Sequence, residues 1–167
     1  MKIFIYFVTL SLILSILYPL TTQASCTDPP KSGVNWERCN FSEKNLSKKN
    51  LTKSILKETR FIRTVLNESD LSNSIATRAK FINSSAKNAI FDNAKLREAD
   101  FTKANLANSS FINADLSSSR LFRANLENSN LTGAKLKGAD LLNANLSGAT
   151  WIDGTTICSQ GSLGQCQ

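Results

Sequence analysis

Large apolar residues recur at every fifth position from Phe41 to Trp151. Of the 23 positions in this series, 21 are Leu, Phe or Trp, and Ala76 and Ala86 are the exceptions. The position two before each is Ala, Ser, Thr or Cys in 21 of 23 cases, with Lys44 and Lys49 departing. The residue between the two is often Asn or Asp, as in Ala104-Asn105-Leu106 and Ala139-Asp140-Leu141, which gives many of the 17 asparagines a periodic place. Neither regular element accommodates this spacing. On an α-helix a step of five advances the direction by about 500°, so the leucines would spiral around every face. On a strand the same step reverses the face each time. The pattern requires a backbone that turns once per repeat, with one large and one small side chain pointing inward and three pointing outward. No single repeat can bury its leucine, so the coils must stack and bury them in one column.

This tandem A-[DN]-L-x-x motif, running over residues 39–153, resembles the pentapeptide-repeat family. The resemblance implies an all-β fold: a right-handed parallel quadrilateral β-helix of about 5–6 coils, four pentapeptides to the coil. A four-sided coil places residues 20 apart on one wall. Phe41, Phe61, Phe81 and Phe101 then share a wall with Leu121 and Leu141, while Phe91, Phe111 and Trp151 share the opposite one. The flanks resemble the entry and terminal segments of exported members: Cys26, Pro29-Pro30, Gly33-Val34-Asn35-Trp36 and Cys39 on one side, Trp151 to Thr156 and Gly161 to Cys166 on the other. Both read as caps over the unpaired edges of a solenoid. The expected division is a signal peptide over 1–24, an N-terminal cap over 25–38, the β-helix over 39–153 and a C-terminal disulfide cap over 154–167. Lys44 and Lys49, at the small inward position, are expected either to distort the first coil or to escape to solvent. Ala76 and Ala86 are expected to leave the core underpacked, or to be compensated by neighbours such as Ile75 and Ile90.

The start of the chain has the layout of a secretory signal: Lys2, then apolar sequence from Ile3 to Leu20, then Thr22-Gln23-Ala24 with small residues flanking a cleavage site. The apolar run is also long enough to be read as an uncleaved anchor, and Cys26 as a lipidation site, although Gln23 stands where that signal wants an aliphatic residue. Export points to the bacterial periplasm or exterior, where an oxidising environment favours disulfides. The local pairing, Cys26–Cys39 and Cys158–Cys166, is expected, since cross-pairing would require the two ends of a long repeat to meet. The separations of 13 and 8 match no zinc ribbon or finger. No metal or other cofactor is expected. The chain has no histidine, which removes imidazole-based triads, HExxH zinc sites and histidine switches.

With the interior filled, any activity must sit on outward residues. The wall of Phe41 carries Ile62, Ile82, Phe122 and Leu142 at one outward position, flanked by Arg60, Arg63, Lys80, Lys103, Arg120 and Arg123. An apolar stripe rimmed by arginines has the composition of a protein interface; the alternative is that these side chains lean over the corner and finish the core. The asparagine rows are expected to form side-chain ladders between coils. The formal net charge of +7 allows an anionic envelope surface as partner. DNA mimicry, known in the family it resembles, would need an acidic surface, and nucleic acid is not an expected partner. The repeats assemble no paired carboxylates and no nucleophile with its base. The reading is therefore a non-enzymatic exported scaffold that binds an unidentified protein partner. The alternatives are a passive structural or envelope-associated protein binding an anionic surface, homodimerisation through the apolar face or a solenoid end, and, remotely, a hydrolytic or lytic enzyme.

Overall fold

The computed structural model describes residues 23–167, so the signal peptide expected over 1–24 lies outside the described residues except for its last two positions. The backbone forms a four-sided parallel β-helix. Parallel bridges join each residue to the one 20 further on, from Asn35 with Ile55 to Asn130 with Thr150, one bridge per wall per coil. The paired residue is always the outward one just before the wall's large apolar residue. Between bridges the chain makes a tight turn, closed for example by the Lys44 N–H donating to the Phe41 carbonyl at 3.1 Å. The third residue of each turn has positive φ, from Gly33 at 71° through Arg38 at 59° to Gly148 at 70°. That is the signature of a type II turn. One such corner every five residues explains why the period is neither 3.6 nor 2.

The register begins earlier than the sequence boundary at residue 39 suggests. Lys31 to Val34 is already a turn of this kind, Gly33 donates to Thr52 as later corners do, and Val34 and Trp36 are fully buried at the small and large inward positions. Most of the expected N-terminal cap is thus the start of a first coil, and Trp36, Phe41, Leu46 and Leu51 head four walls of six residues each. The chain before it, residues 23–30, lies against that coil. Ser25 donates to Asn35, Trp36 Nε1 donates to the Asp28 carbonyl at 3.2 Å, and Cys26 is bonded to Cys39, with Cα atoms 5.4 Å apart. At the other end the chain reverses. Ile157 pairs antiparallel with Thr150 and Leu163 with Asn145, and Cys158–Cys166 closes the returning segment, with Cα atoms 4.8 Å apart. Both disulfides, both end closures and every core residue lie within the described chain.

The core is a column of stacked side chains. On the Phe41 wall the rings of Phe41, Phe61, Phe81 and Phe101 lie 5.9, 5.0 and 4.6 Å apart in near-parallel stacks. On the Leu51 wall Phe91 stacks on Phe111 at 4.8 Å. The two columns meet edge to face across the interior, Phe81 with Phe91 at 5.8 Å. The same contact recurs between Phe91 and Phe101 at 5.8 Å and between Phe101 and Phe111 at 6.0 Å. Ala76 and Ala86 are fully buried in the column beside these rings. Ile75 and Ile90 are bridge residues, half-buried and exposed respectively. Lys44 and Lys49 are exposed, and the turn at Lys44 keeps its regular hydrogen bond. The register carries through the first coil, with its bridges and the positive φ at Glu43 and Lys48 in place, and both lysines reach solvent.

Polar residues serve the turns. At the bridge position Asn and Asp accept, through Oδ1, the N–H two residues on: Asn45 from Ser47 at 3.0 Å, Asp100 from Thr102 at 3.0 Å, Asn130 from Thr132 at 3.0 Å. These are Asx turns. The asparagine rows are thus mostly local caps rather than the expected ladders, although Asn145 does donate to Asn125 one coil away at 3.1 Å. Where the bridge residue is Ser85 or Ser110, the acceptor comes from the coil above. Asn67 takes the Lys87 N–H at 3.0 Å and Asp92 takes the Ile112 N–H at 3.0 Å, and each also accepts from that serine's hydroxyl. Most buried hydroxyls at the small inward position donate to backbone carbonyls, as Thr59 does to Trp36 at 2.6 Å.

Candidate functional site

The 20-residue coil places the candidate surface residues on one side of the rod. Ile62, Ile82, Phe122 and Leu142 sit at the same corner of successive coils, with Thr102 between them, and Arg60, Lys80 and Arg120 lie on the adjoining bridge row. The structure divides this group. Ile62, Ile82 and Phe122 are half-buried, leaning over the corner, while Leu142 in the last coil is 61% exposed. The basic residues split as well. Arg63 reaches Glu43 at 3.1 Å and Arg120 approaches Asp100 at 3.6 Å, while the Arg123 guanidinium lies 5.0 Å from the Phe122 ring centre. Arg60, Lys80 and Lys103 are exposed and enter none of the ion pairs of the described residues.

Beside this row runs a shallow open groove. One part, about 410 Å³, is lined by Arg78, Lys80, Glu98, Asp100, Ser118 and Arg120. A second, about 350 Å³, lies between Glu58, Arg60, Arg78 and Lys80. The corner residues on its rim form a ladder of alternating sign: Glu58 is held by Arg38 at 3.1 Å and by Arg78 at 2.9 Å. Its hydrogen bond from Arg38, aided by the charge of Arg78, lowers the Glu58 carboxyl pKa despite an opposing desolvation effect. Desolvation likewise pushes Asp115 up, but hydrogen bonds from Ser117 and the charges of Arg97 and Lys135 outweigh it and leave the pKa lowered. Both carboxylates are held ionised, which suits ion pairing and not proton transfer. Among the described residues no three His, Cys, Asp or Glu side chains are grouped to hold a metal ion.

Sequence reasoning singled out Leu142 as part of the stripe but not the other exposed residues of the C-terminal end, which the structure brings together with it. Leu142, Ile152, Ile157 and Leu163 are four of the five exposed large apolar residues in the described chain, at 61%, 39%, 59% and 58%. The returning cap brings them to one end: Leu163 pairs beside Asn145, the following Gly164 lies against the Leu141–Asn143 backbone, and Ile157 pairs beside Thr150. Beneath them Leu136, Ala139, Leu141 and Trp151 are only partly covered. Apolar letters in the tail were the available signal, but nothing in the five-residue period places them.

Two sequence profiles match the chain. That of the pentapeptide repeat region covers residues 84–157, and that of pentapeptide repeats in eight copies covers 45–81 and 54–92. The chain belongs to the pentapeptide-repeat family. No curated protein matches it in sequence. Among solved pentapeptide-repeat structures, one from the cyanobacterium Cyanothece 51142 aligns with a TM-score of 0.52 at 22% identity, covering 71% of this chain and 88% of that one. HetL from Nostoc, involved in heterocyst differentiation regulation, aligns at 28% identity with a TM-score of 0.47, covering 75% and 69%. A protein of the Arabidopsis thaliana thylakoid lumen aligns at 21% identity with a TM-score of 0.48, covering 65% and 68%. The Cyanothece structure shares the fold of this chain, and membership of the pentapeptide-repeat family implies that it is the right-handed quadrilateral β-helix.

Proposed function

We propose that this pentapeptide-repeat protein is a non-enzymatic, exported interaction scaffold, and that its partner protein docks on the C-terminal end together with the adjoining corner of the Phe41 wall. One observation carries the reading. The four walls are filled with buried side chains, so chemistry has no interior cavity to occupy, while the exposed apolar side chains gather at one end of the rod. Exposed apolar surface of this kind, flanked here by Arg123 and Lys103, is what a protein partner covers. Export is supported by the signal-like sequence at the start of the chain and by two disulfides, which persist in oxidising compartments.

The test is crosslinking capture from the native cell envelope with three proteins: the unaltered chain, a variant with Leu142→Asn and Leu163→Asn, and a variant with Ile62→Asn, Ile82→Asn and Phe122→Asn. Capture of one species, lost in the first variant while its thermal unfolding is unchanged, is the expected result. Loss in the second variant alone would move the site to the side of the rod. Equal capture by all three would overturn the reading, as would turnover of peptide, glycan or ester substrates by the purified protein.

A further inference from the structure

We propose that the N-terminal end of the rod is a docking face for anionic phospholipid headgroups. This goes beyond the scaffold reading and uses the opposite end of the molecule. Three lysines carry the argument by their register. Lys31 occupies the position of a wall residue above Leu51, and Lys44 and Lys49 occupy the small inward position of the first coil. From the second coil onward every one of these positions holds a side chain that packs inward. At the end of the column there is no coil above, and all three lysines are exposed. None of them enters the ion pairs of the described residues, and neither does Lys53; Lys48 reaches Glu68 at 3.5 Å but remains 71% exposed.

The covering of this end is divided. The entry segment lies over the Trp36 and Phe41 walls, fastened by Ser25 to Asn35 and by Cys26–Cys39. The Leu46 and Leu51 walls are left to the lysines. The acidic residues of this region do not balance them: Asp28, Glu37 and Glu43, the last engaged by Arg63, stand against six cations from Lys31 to Lys53. The occupant follows from where the chain enters. The apolar run Ile3–Leu20 ends three residues before the first described residue, and that residue belongs to this end of the rod. During export, and afterwards if the segment is retained, the lysine face is held at the bilayer surface. Basic residues beside an apolar membrane segment are attracted by anionic headgroups, each by about fivefold in partitioning.

The experiment uses residues 25–167, which contain the whole core, both disulfides and both end closures. Binding is measured by co-sedimentation with phosphatidylcholine vesicles with and without phosphatidylglycerol. The decisive variant is Lys44→Glu with Lys49→Glu. It keeps charge on the open end, and so keeps rods from stacking end to end, while reversing the sign the lipid reads. Binding that requires phosphatidylglycerol, fades as salt rises, and falls at least about 25-fold in this variant is the expected result. Lys44→Arg with Lys49→Arg should retain it. Equal binding to both vesicle types would overturn the proposal, and so would unchanged binding by a Glu variant whose unfolding matches that of the unaltered protein. Loss on changing Lys103 and Arg123 instead would assign the attraction to the side of the rod and overturn it as well.

Discussion

The first coils and the last coils solve the same corner in different ways. Every turn from Gly33 to Gly148 needs positive φ at its third residue. Between Arg38 and Glu68 all seven such residues are charged, and all but Lys53 pair with the corner one coil away: Arg38 with Glu58, Glu43 with Arg63, Lys48 with Glu68. From Asn128 to Gly148 they are only Asn and Gly. Here the fit is steric. Asn113 lies over Gly133 and Asn128 over Gly148, each with its Oδ1 in the space a Cβ would fill, at 2.3 and 2.2 Å from it. A charged L-residue accepts the cost of the left-handed region, about 1–2 kcal/mol, and gains only a solvent-exposed ion pair in return. Glycine avoids that cost and lets the neighbouring amide close over it. The N-terminal coils thus keep charged corners, and the C-terminal coils have uncharged ones. The ends follow suit: lysines at the entry, exposed apolar side chains at the exit.

The largest test of this contrast removes each end's covalent closure. Closing a loop of 13 residues contributes about 3 kcal/mol on the chain-entropy account and closing one of 8 about 2.5 kcal/mol. Replacing Cys26 and Cys39 by Ser should lower stability in urea slightly more than replacing Cys158 and Cys166. If the two ends differ as described, the local consequences diverge further: loss of Cys158–Cys166 should free the antiparallel return and bare Leu136 and Leu141, raising dye binding to apolar surface. Loss of Cys26–Cys39 should raise it less, because the entry segment keeps its hydrogen bonds from Ser25 to Asn35 and from Trp36 to Asp28. Equal dye binding would erase the distinction between the ends.

The corners give the next effect. Gly148→Ala places a Cβ at positive φ and against Asn128, and should cost about 2 kcal/mol. Lys53→Gly, at a corner with φ of 57° and no ion pair among the described residues, should instead stabilise by about 0.5–1 kcal/mol. Chemical denaturation of both variants checks this, and the same sign for both would break the comparison. Somewhat smaller than the cost at Gly148 is that of Asp92→Ala. It leaves the Ile112 N–H and the Ser110 hydroxyl without their acceptor and should cost about 1–2 kcal/mol. Asp100→Ala should cost about 1 kcal/mol by freeing the Thr102 N–H, with little added by losing its exposed pair with Arg120.

Those last two residues show what the sequence could and could not convey. The walls were legible because an inward position tolerates few side chains, so the period survives in the letters. Trp36 and Val34 fit that period too, but their resemblance to the entry segment of exported family members placed them in a cap, so the coil was read as starting at residue 39. The role of Asp92 was not legible, because its partners are 18 and 20 residues away and Ser110 carries no mark of needing help. The return of the tail follows no period at all. Antiparallel pairing of Ile157 and Leu163 depends on which edges the last coil leaves open. For that reason the stripe of Ile62, Ile82, Phe122 and Leu142 stood out in the sequence, while Ile152, Ile157 and Leu163 at the same exposed end did not.

The smallest effect lies in the C-terminal turn. Asp153 accepts from the Thr156 hydroxyl and N–H, the latter at 2.8 Å, and from the Thr155 N–H at 3.0 Å. These bonds lower its pKa from the ordinary 3.8 to about 2. A carboxylate held below its ordinary pKa stabilises the fold fully above that ordinary value, and the contribution fades as pH falls toward the lowered one. The turn before the antiparallel return should therefore hold at pH 5 and loosen between about pH 4 and 2, while the Asn-and-Gly corners beside it, having no group to titrate, stay closed. An NMR titration of the Thr155 and Thr156 amides should find a midpoint near 2, and Asp153→Asn should abolish the transition. A midpoint at the ordinary value would mean that the carboxylate's bonds add nothing to this closure, leaving the disulfide and the two antiparallel bridges to hold the end alone.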